Sequence, residues 1–346
     1  MLRDKPLVVM SDYDFGEENL ELIRKPVLSA GAEFRAYHCT NKRELLQVCG
    51  GASVLINEYL KPIDLEVLDA MHGCQGIVRT GIGVDTIDIP AASDRGILVV
   101  NIPAYCLDEV SDHTLTLALA LIRKLKQFDE SVHNGAWDFK VGRPIERIRG
   151  QTLGVIGYGK VSRRLRPKAE AIGFRFVATD PYIDPYIAKA DGVELLSLEE
   201  LLAMADVVSV HCPLNKETTG LLGESDFRKM KPTAVLLNTA RGPIVQFNAV
   251  VRALLEGWIA GAGLDVQESE PLPSDSPLIK MNNVILTPHV AWYSEGSQKE
   301  LLSSVGEETI RIIKGERPLS VVNLSLLEAR EISKASHTDL VKEELR

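Results

Sequence analysis

The chain has 346 residues, 45% apolar and 25% charged. That is the composition of a folded globular protein, and at about 100–200 residues per domain it favours two domains. Its 39 basic residues against 48 acidic ones give a net charge of −9, so without a long basic run no nucleic-acid partner is expected. No apolar stretch approaches the roughly 18–20 residues of a membrane span, and Met1-Leu2-Arg3-Asp4-Lys5-Pro6 does not read as a signal peptide. Cys39, Cys49, Cys74, Cys106 and Cys212 are odd in number and lack CxxC spacing. Neither a disulfide framework nor a metal site is expected, and a reducing cytoplasm is the expected setting.

Short apolar runs alternate with amphipathic segments from the start. Leu7 to Met10 reads as a strand, Glu17 to Ser29 as a helix ending before Gly31, and Phe34 to Tyr37 as a second strand. Ser53 to Ile56, Gly76 to Arg79 and Ile97 to Val100 continue the strands, with a helix over Leu65 to Met71. Strands separated by helices imply βαβ units and a parallel sheet, because a parallel neighbour needs a crossover. A long helix is expected from Leu107 to Asn134, with Leu115, Leu119, Ile122 and Leu125 at helical spacing and Gly135 as its stop. The rhythm restarts at Thr152 to Ile156. It continues through Phe176 to Ala178, Val207 to Val210 and Ala234 to Leu237, and ends near Val284 to Leu286. A last helix spans about Ser297 to Lys314, before a charged tail from about Leu326. The fold class is α/β, with two doubly wound, Rossmann-like parallel sheets.

Only the second series carries a glycine-rich turn, so one half is expected to bind a nucleotide and the other something else. Gly157-Tyr158-Gly159-Lys160-Val161-Ser162 follows a strand and opens a helix. Such a turn lets backbone N–H groups approach a pyrophosphate, and Ser162, small enough for close packing, stands where a third glycine is usual. Asp180 closes the next strand at the place of the acid that binds a ribose 2′-hydroxyl, with no Arg after it in Pro181-Tyr182-Ile183. NAD is therefore favoured over NADP. The plain alternatives are a chance glycine turn and a solvated strand-end acid.

Three polar segments follow strand-like runs in the second half: Asn238 to Gly242, Leu264 to Pro271, and Thr287-Pro288-His289. Ligands of open α/β sheets bind beyond the carboxyl ends of strands, so these segments can converge. Hydride chemistry on a 2-oxo acid needs a cation for the carboxylate and carbonyl, a proton donor for the alkoxide, and a partner for that donor. Arg241, His289 and Glu270 have those chemistries. Taken singly, they read equally well as a surface cation, a turn histidine and a loop acid.

Together with Val78 to Asp85 and Gly263 to Pro271, these strings resemble the D-isomer-specific 2-hydroxyacid dehydrogenases, in family order up to about Asn323. His289 to Glu295 is most similar to the C-terminal-binding-protein branch and its phosphoglycerate-dehydrogenase-like relatives. The resemblance implies that His289 is the acid/base, Glu270 its partner and Arg241 the substrate-binding cation. It places the substrate carboxylate on the N–H groups of Ile82 and Gly83, with Arg79 and Trp292 as further substrate contacts. Thr114, Cys212, Pro213, Thr218, Thr239, Ala240 and Asp265 would line the cofactor beside the glycine turn, Asp265 at the nicotinamide amide.

The resemblance also implies that the nucleotide domain, 102–290, is inserted into a substrate domain built from 1–101 and 291–325, leaving 326–346 as tail. Hinges would fall near Asn101-Ile102-Pro103 and after His289. The loop Asn57-Glu58-Tyr59-Leu60-Lys61, with Arg79 and Trp292, would select the substrate side chain. Glu58 would discourage a second negative charge, and Lys61 or Arg79 would accept one. The expected partners are a small 2-oxo acid and a second copy of the chain, joined through the Leu107–Asn134 region. The alternative function is an NADH-sensing interaction protein with vestigial turnover.

Overall fold

The computed structural model describes residues 5–59 and 62–329. Leu60 and Lys61 of the selectivity loop, residues 1–4, and the tail from 330 onward lie outside them. The chain forms two compact units, Met1–Tyr105 with Glu295–Arg346, and Cys106–Ser294.

The first unit is built on five parallel strands: β1 (Leu7–Met10), β2 (Glu33–Ala36), β3 (Val54–Asn57), β4 (Gly76–Arg79) and β5 (Leu98–Val100), in the order β2-β1-β3-β4-β5. β3 and β4 are buried along their whole length, as expected of a parallel sheet covered on both faces. Side chains start its short helices. Asn41, Asp64 and Asp88 accept the N–H of Glu44, Val67 and Ala91, which would otherwise lack a partner in the first turn. The late helix Glu295–Ile313 packs against Gly16–Ser29. Beyond it, Val322 N–H donates to the Val99 carbonyl (2.7 Å), so the C-terminal segment is tied to the edge of the N-terminal sheet.

The second unit has seven parallel strands: β6 (Thr152–Ile156), β7 (Arg175–Thr179), β8 (Glu194–Leu195), β9 (Val207–Val210), β10 (Val235–Asn238), β11 (Gly261–Leu264) and β12 (Val284–Leu286). Their order is β12-β11-β10-β9-β6-β7-β8. The order reverses between β6 and β9, and a ligand of such a sheet is expected at that switch point, beyond the strands' carboxyl ends. Its buried residues form two clusters. One contains Leu115, Ala118, Leu153, Val155 and Leu165, and the other Leu202, Val208, Leu236, Ala249 and Val250.

The long helix expected over Leu107 to Asn134 is two helices, Leu107–Ile122 and Leu125–His133. Arg123 and Lys124 N–H groups close the first by bonding back to Leu119 and Leu121, and Lys124 then turns into the left-handed region at φ 53. The break separates two functions that the periodicity merged. Leu115, Leu117 and Ala118 are buried in the core of their own unit, whereas the second helix buries no residue and Leu125 is 62% exposed. Among the described residues, no helix is long and apolar enough to cross a membrane.

Candidate active site

At the nucleotide turn, β6 leads directly into Gly157, whose φ is +95. A Cβ there would stand 2.7 Å from the Cys212 backbone nitrogen, so conformation and space both demand glycine. Helix Lys160–Ile172 starts on Gly159 with no side-chain cap, and its first backbone bond runs from Arg163 N–H to the Gly159 carbonyl (3.0 Å). The N–H groups of Lys160 and Val161 therefore have no intrahelical acceptor, and a Cβ on Gly159 would meet nothing within 4 Å. Open space in front of an uncapped helix end is what a pyrophosphate requires. Ser162 does more than fill the third position: it is fully buried, and its hydroxyl donates to the Gly157 carbonyl (2.6 Å).

Asp180 holds this turn in shape. One of its oxygens accepts the Tyr158 N–H (2.8 Å), and the other accepts those of Tyr182 (2.9 Å) and Ile183 (3.1 Å). A carboxylate offers about four acceptor positions, so capacity remains for a ribose hydroxyl. The Tyr158 ring points into the core instead, where its hydroxyl donates to Asp191 (3.0 Å). Across the switch point, Cys212 is partly buried and its thiol is pushed up to about 11, mainly by burial. Thr218 donates to the Pro213 carbonyl (2.6 Å), closing that loop. The hydroxyls of Thr114 and Thr239 lie 3.0 Å apart, both buried. Thr114 donates to the Val110 carbonyl (2.8 Å), so Thr239 is the donor of the pair. The Ala240 N–H donates to Asn238 Oδ1 (3.1 Å). These residues fit a dinucleotide: a glycine-lined cradle, an uncapped helix end and an acid at the ribose position.

The acid/base set lies beyond β10, β11 and β12. His289 Nδ1 is 2.8 Å from Glu270 Oε2, and the other Glu270 oxygen accepts the Gln267 N–H (2.9 Å). Burial works to raise the Glu270 carboxyl, but the His289 and Gln267 hydrogen bonds and the charges of His289 and Arg241 outweigh it. The net result lies below the usual carboxylate range. Arg241 is half-buried, with Nη1 donating to the Ala240 carbonyl (2.8 Å).

Sequence reasoning missed what joins these loops. A Cβ on Gly242 would stand 1.9 Å from the Gln267 carbonyl carbon, so only glycine lets the Arg241 turn lie against the strand of chain leading to Glu270. Its signal was present as the Gly after Arg241. Asp265 is buried, 1% exposed, and its carboxylate accepts the Thr287 hydroxyl (2.5 Å) and the N–H groups of Val290 (2.9 Å) and Ala291 (3.0 Å). His113 Nε2 meets the same Thr287 hydroxyl at 3.1 Å.

In the first unit, β4 ends at Arg79, 6% exposed, whose Nη1 occupies the space beside Gly81 where a Cβ would stand at 2.9 Å. The turn that follows is fixed by Ile102 N–H on the Gly81 carbonyl (3.0 Å) and Asn101 on the Ile82 carbonyl (2.7 Å). The N–H groups of Ile82 and Gly83 donate to no acceptor among the described residues, and adjacent N–H groups left open in a turn can receive an anion. Trp292, in the second unit, is partly exposed and stands edge-on to Tyr293 at 5.6 Å.

The sequence model described as "D-isomer specific 2-hydroxyacid dehydrogenase, NAD binding domain" matches residues 115–291, just over half of the chain. The glyoxylate reductase of Korarchaeum cryptofilum is 36% identical over 295 residues, covering 84% of this chain and 88% of that protein. The chain belongs to the D-isomer-specific 2-hydroxyacid dehydrogenase family. A D-3-phosphoglycerate dehydrogenase of Archaeoglobus fulgidus is 37% identical over 312 residues, 90% of this chain, and the chain spans 58% of that relative's length. Among solved structures, the TT0316 protein of Thermus thermophilus superposes with a TM-score of 0.81 at 33% identity, covering 91% of this chain and 99% of that one. The matched segment lies within the second unit, which is the NAD-binding domain of this family.

Proposed function

We propose that the protein is an NAD-dependent D-2-hydroxyacid dehydrogenase that reduces a small 2-oxo acid reversibly, of the glyoxylate, hydroxypyruvate or phosphohydroxypyruvate type. The observation that carries this reading is the 2.8 Å contact between His289 Nδ1 and Glu270, in a loop held against Arg241 by Gly242. NAD, when bound, supplies or accepts the hydride. His289 gives its proton to the carbonyl oxygen on reduction and takes it back on oxidation, through the nitrogen that Glu270 does not engage. Glu270, held ionised by its own hydrogen bonds, fixes the orientation of the ring through the Nδ1 contact. In the second unit Arg241 binds the substrate carbonyl and carboxylate and Trp292 is a further substrate contact; in the first unit the proposed substrate contacts are the Ile82 and Gly83 N–H groups and Arg79. Gly157, Gly159, Lys160, Val161 and Asp180 hold the cofactor, with Thr114, Cys212, Pro213, Thr218, Thr239 and Ala240 around it.

The test is NADH oxidation by the purified protein with glyoxylate, hydroxypyruvate, pyruvate and phosphohydroxypyruvate. Rapid turnover of a member is expected. Tight NADH binding with no turnover of any would favour the sensing protein instead.

A homodimer is part of the proposal, and its surface is the second of the two helices and the segment after it. Leu125 (62%), Val132 (48%), Trp137 (91%), Phe139 (66%) and Val141 (46%) expose a run of large apolar side chains, more than a monomer's surface normally leaves in water. Sedimentation of the protein and of Trp137→Ser with Phe139→Ser reads it: a dimer that the double substitution dissociates.

A further inference from the structure

The carboxyl ends of the first unit's strands gather a buried charged cluster in which the proposed chemistry gives Asp12 and Glu58 no role. Asn57 and Arg79 face each other in register across β3 and β4, and Thr80 N–H donates to the Asn57 carbonyl (2.9 Å). Residues 57–59 therefore leave the sheet beside the turn that carries the unsatisfied Ile82 and Gly83 N–H groups. Asp12, just after β1, accepts Ser11 Oγ (2.5 Å), Asn57 Nδ2 (3.2 Å), Glu58 N–H (3.1 Å) and Tyr59 N–H (2.6 Å). Glu58 itself is 5% exposed, and its Oε2 is buried with no hydrogen-bond partner among the described residues. The cation of the cluster is Arg79, 5.7 Å above the Tyr59 ring and packed against Gly81.

We propose that Glu58 sets side-chain selectivity at this anion-binding turn. It admits 2-oxo acids with an uncharged side chain, a hydroxyl-bearing one included, and disfavours one carrying a phosphate, the more so once Glu58 is ionised. The proposal rests on the dehydrogenase reading above. Burial, and next the charge of Asp12, push the Glu58 carboxyl up to about 8, while Arg79 and the Asp14 N–H pull it down and the Asp14 charge adds to the rise. With Glu58 protonated, the charges of Asp12 and Arg79 offset each other, and the turn has N–H groups for one carboxylate. A phosphate dianion would bring two further charges, and among the described residues of this cluster the one cation, Arg79, is already offset by Asp12. An ionised Glu58 adds direct repulsion. Both a glyoxylate reductase and a phosphoglycerate dehydrogenase are relatives of this chain, so this residue separates two real alternatives.

The experiment compares kcat/KM for hydroxypyruvate and phosphohydroxypyruvate between pH 7 and 9. There the phosphate is already a dianion, and changes in the shared chemistry cancel in the ratio. In the wild-type protein the ratio favours hydroxypyruvate at pH 7 and rises by about tenfold toward pH 9, the effect of one pKa unit of interaction. In Glu58→Gln the ratio stays flat, and in Glu58→Lys it falls below wild type at every pH. A single cooperative urea unfolding transition, followed by far-UV circular dichroism, verifies that both variants are folded. A flat wild-type ratio, or an equal rise in Glu58→Gln, overturns the proposal. Should no 2-oxo acid turn over, the dehydrogenase reading fails and the ratio is read from the dissociation constants of D-glycerate and D-3-phosphoglycerate with NAD present. A ratio rising with pH there keeps Glu58 as the selector, and a flat one overturns it.

Discussion

His289 hangs from Asp265 by its backbone. Its N–H donates to the Asp265 carbonyl (2.8 Å), while the Asp265 carboxylate gathers the N–H groups of the next two residues. His289 is one of two described non-glycine residues with positive φ, at 55. A side chain held in the left-handed region persists only where its surroundings over-determine it, and the Asp265 network supplies that constraint.

Asp265→Ala would leave one hydroxyl and two peptide N–H groups without their acceptor. A loss of about 2–4 kcal/mol is expected, with turnover falling alongside because the His289 turn relaxes. Urea unfolding of the cofactor-free protein, with kcat measured beside it, checks this. A variant with wild-type midpoint and kcat would show that Asp265 does not support the turn.

Asp180→Ala removes both the ribose acid and the acceptor that fixes the Tyr158 N–H. NADH binding should weaken by about 1–3 kcal/mol, the cost of unpairing such groups, and discrimination against NADPH should narrow. Titration of cofactor fluorescence gives both constants. An unchanged preference for NADH would assign the selectivity elsewhere.

Glu58 gives stability a defined pH dependence. Its folded pKa, about 8, lies above the ordinary 4.5. Between these values the unfolded chain releases its proton and the folded one keeps it, so stability falls as pH rises from 4.5 to 8 and is lowest above 8. Relative to wild type, Glu58→Gln should gain up to about 5 kcal/mol between pH 4.5 and 8.5, at about 1.4 kcal/mol per pKa unit. Urea midpoints of the two proteins across that range would coincide if Glu58 were in fact ionised at no cost.

Much of this site could be read from the chain. The glycine turn, Asp180, and the polar segments holding Arg241 and His289 follow strand-like runs, and spacing alone exposes such patterns. The structure brings Glu270 and His289 into contact. What stayed hidden depends on neighbours distant in sequence. The helix break at Lys124 has no glycine or proline to announce it. β11 is Gly-Ala-Gly-Leu, without a β-branched residue, and is a strand because Leu117 and Leu121 fill the space beside its glycines. The approach of Gly242 to Gln267 and the internal role of Asp265 are long-range contacts of the same kind. Glu58 was legible as a charge in a loop, but its burial beside Asp12 was not.

The most direct test of the account is NADH-dependent reduction by His289→Asn, read as kcat/KM together with the NADH dissociation constant. Asn tolerates the left-handed backbone at this position but cannot exchange a proton near neutral pH. The account predicts turnover reduced by about 10²–10⁴-fold, the usual worth of a general acid, with NADH affinity nearly kept. Turnover within a few-fold of wild type would contradict it and remove His289 from the chemistry.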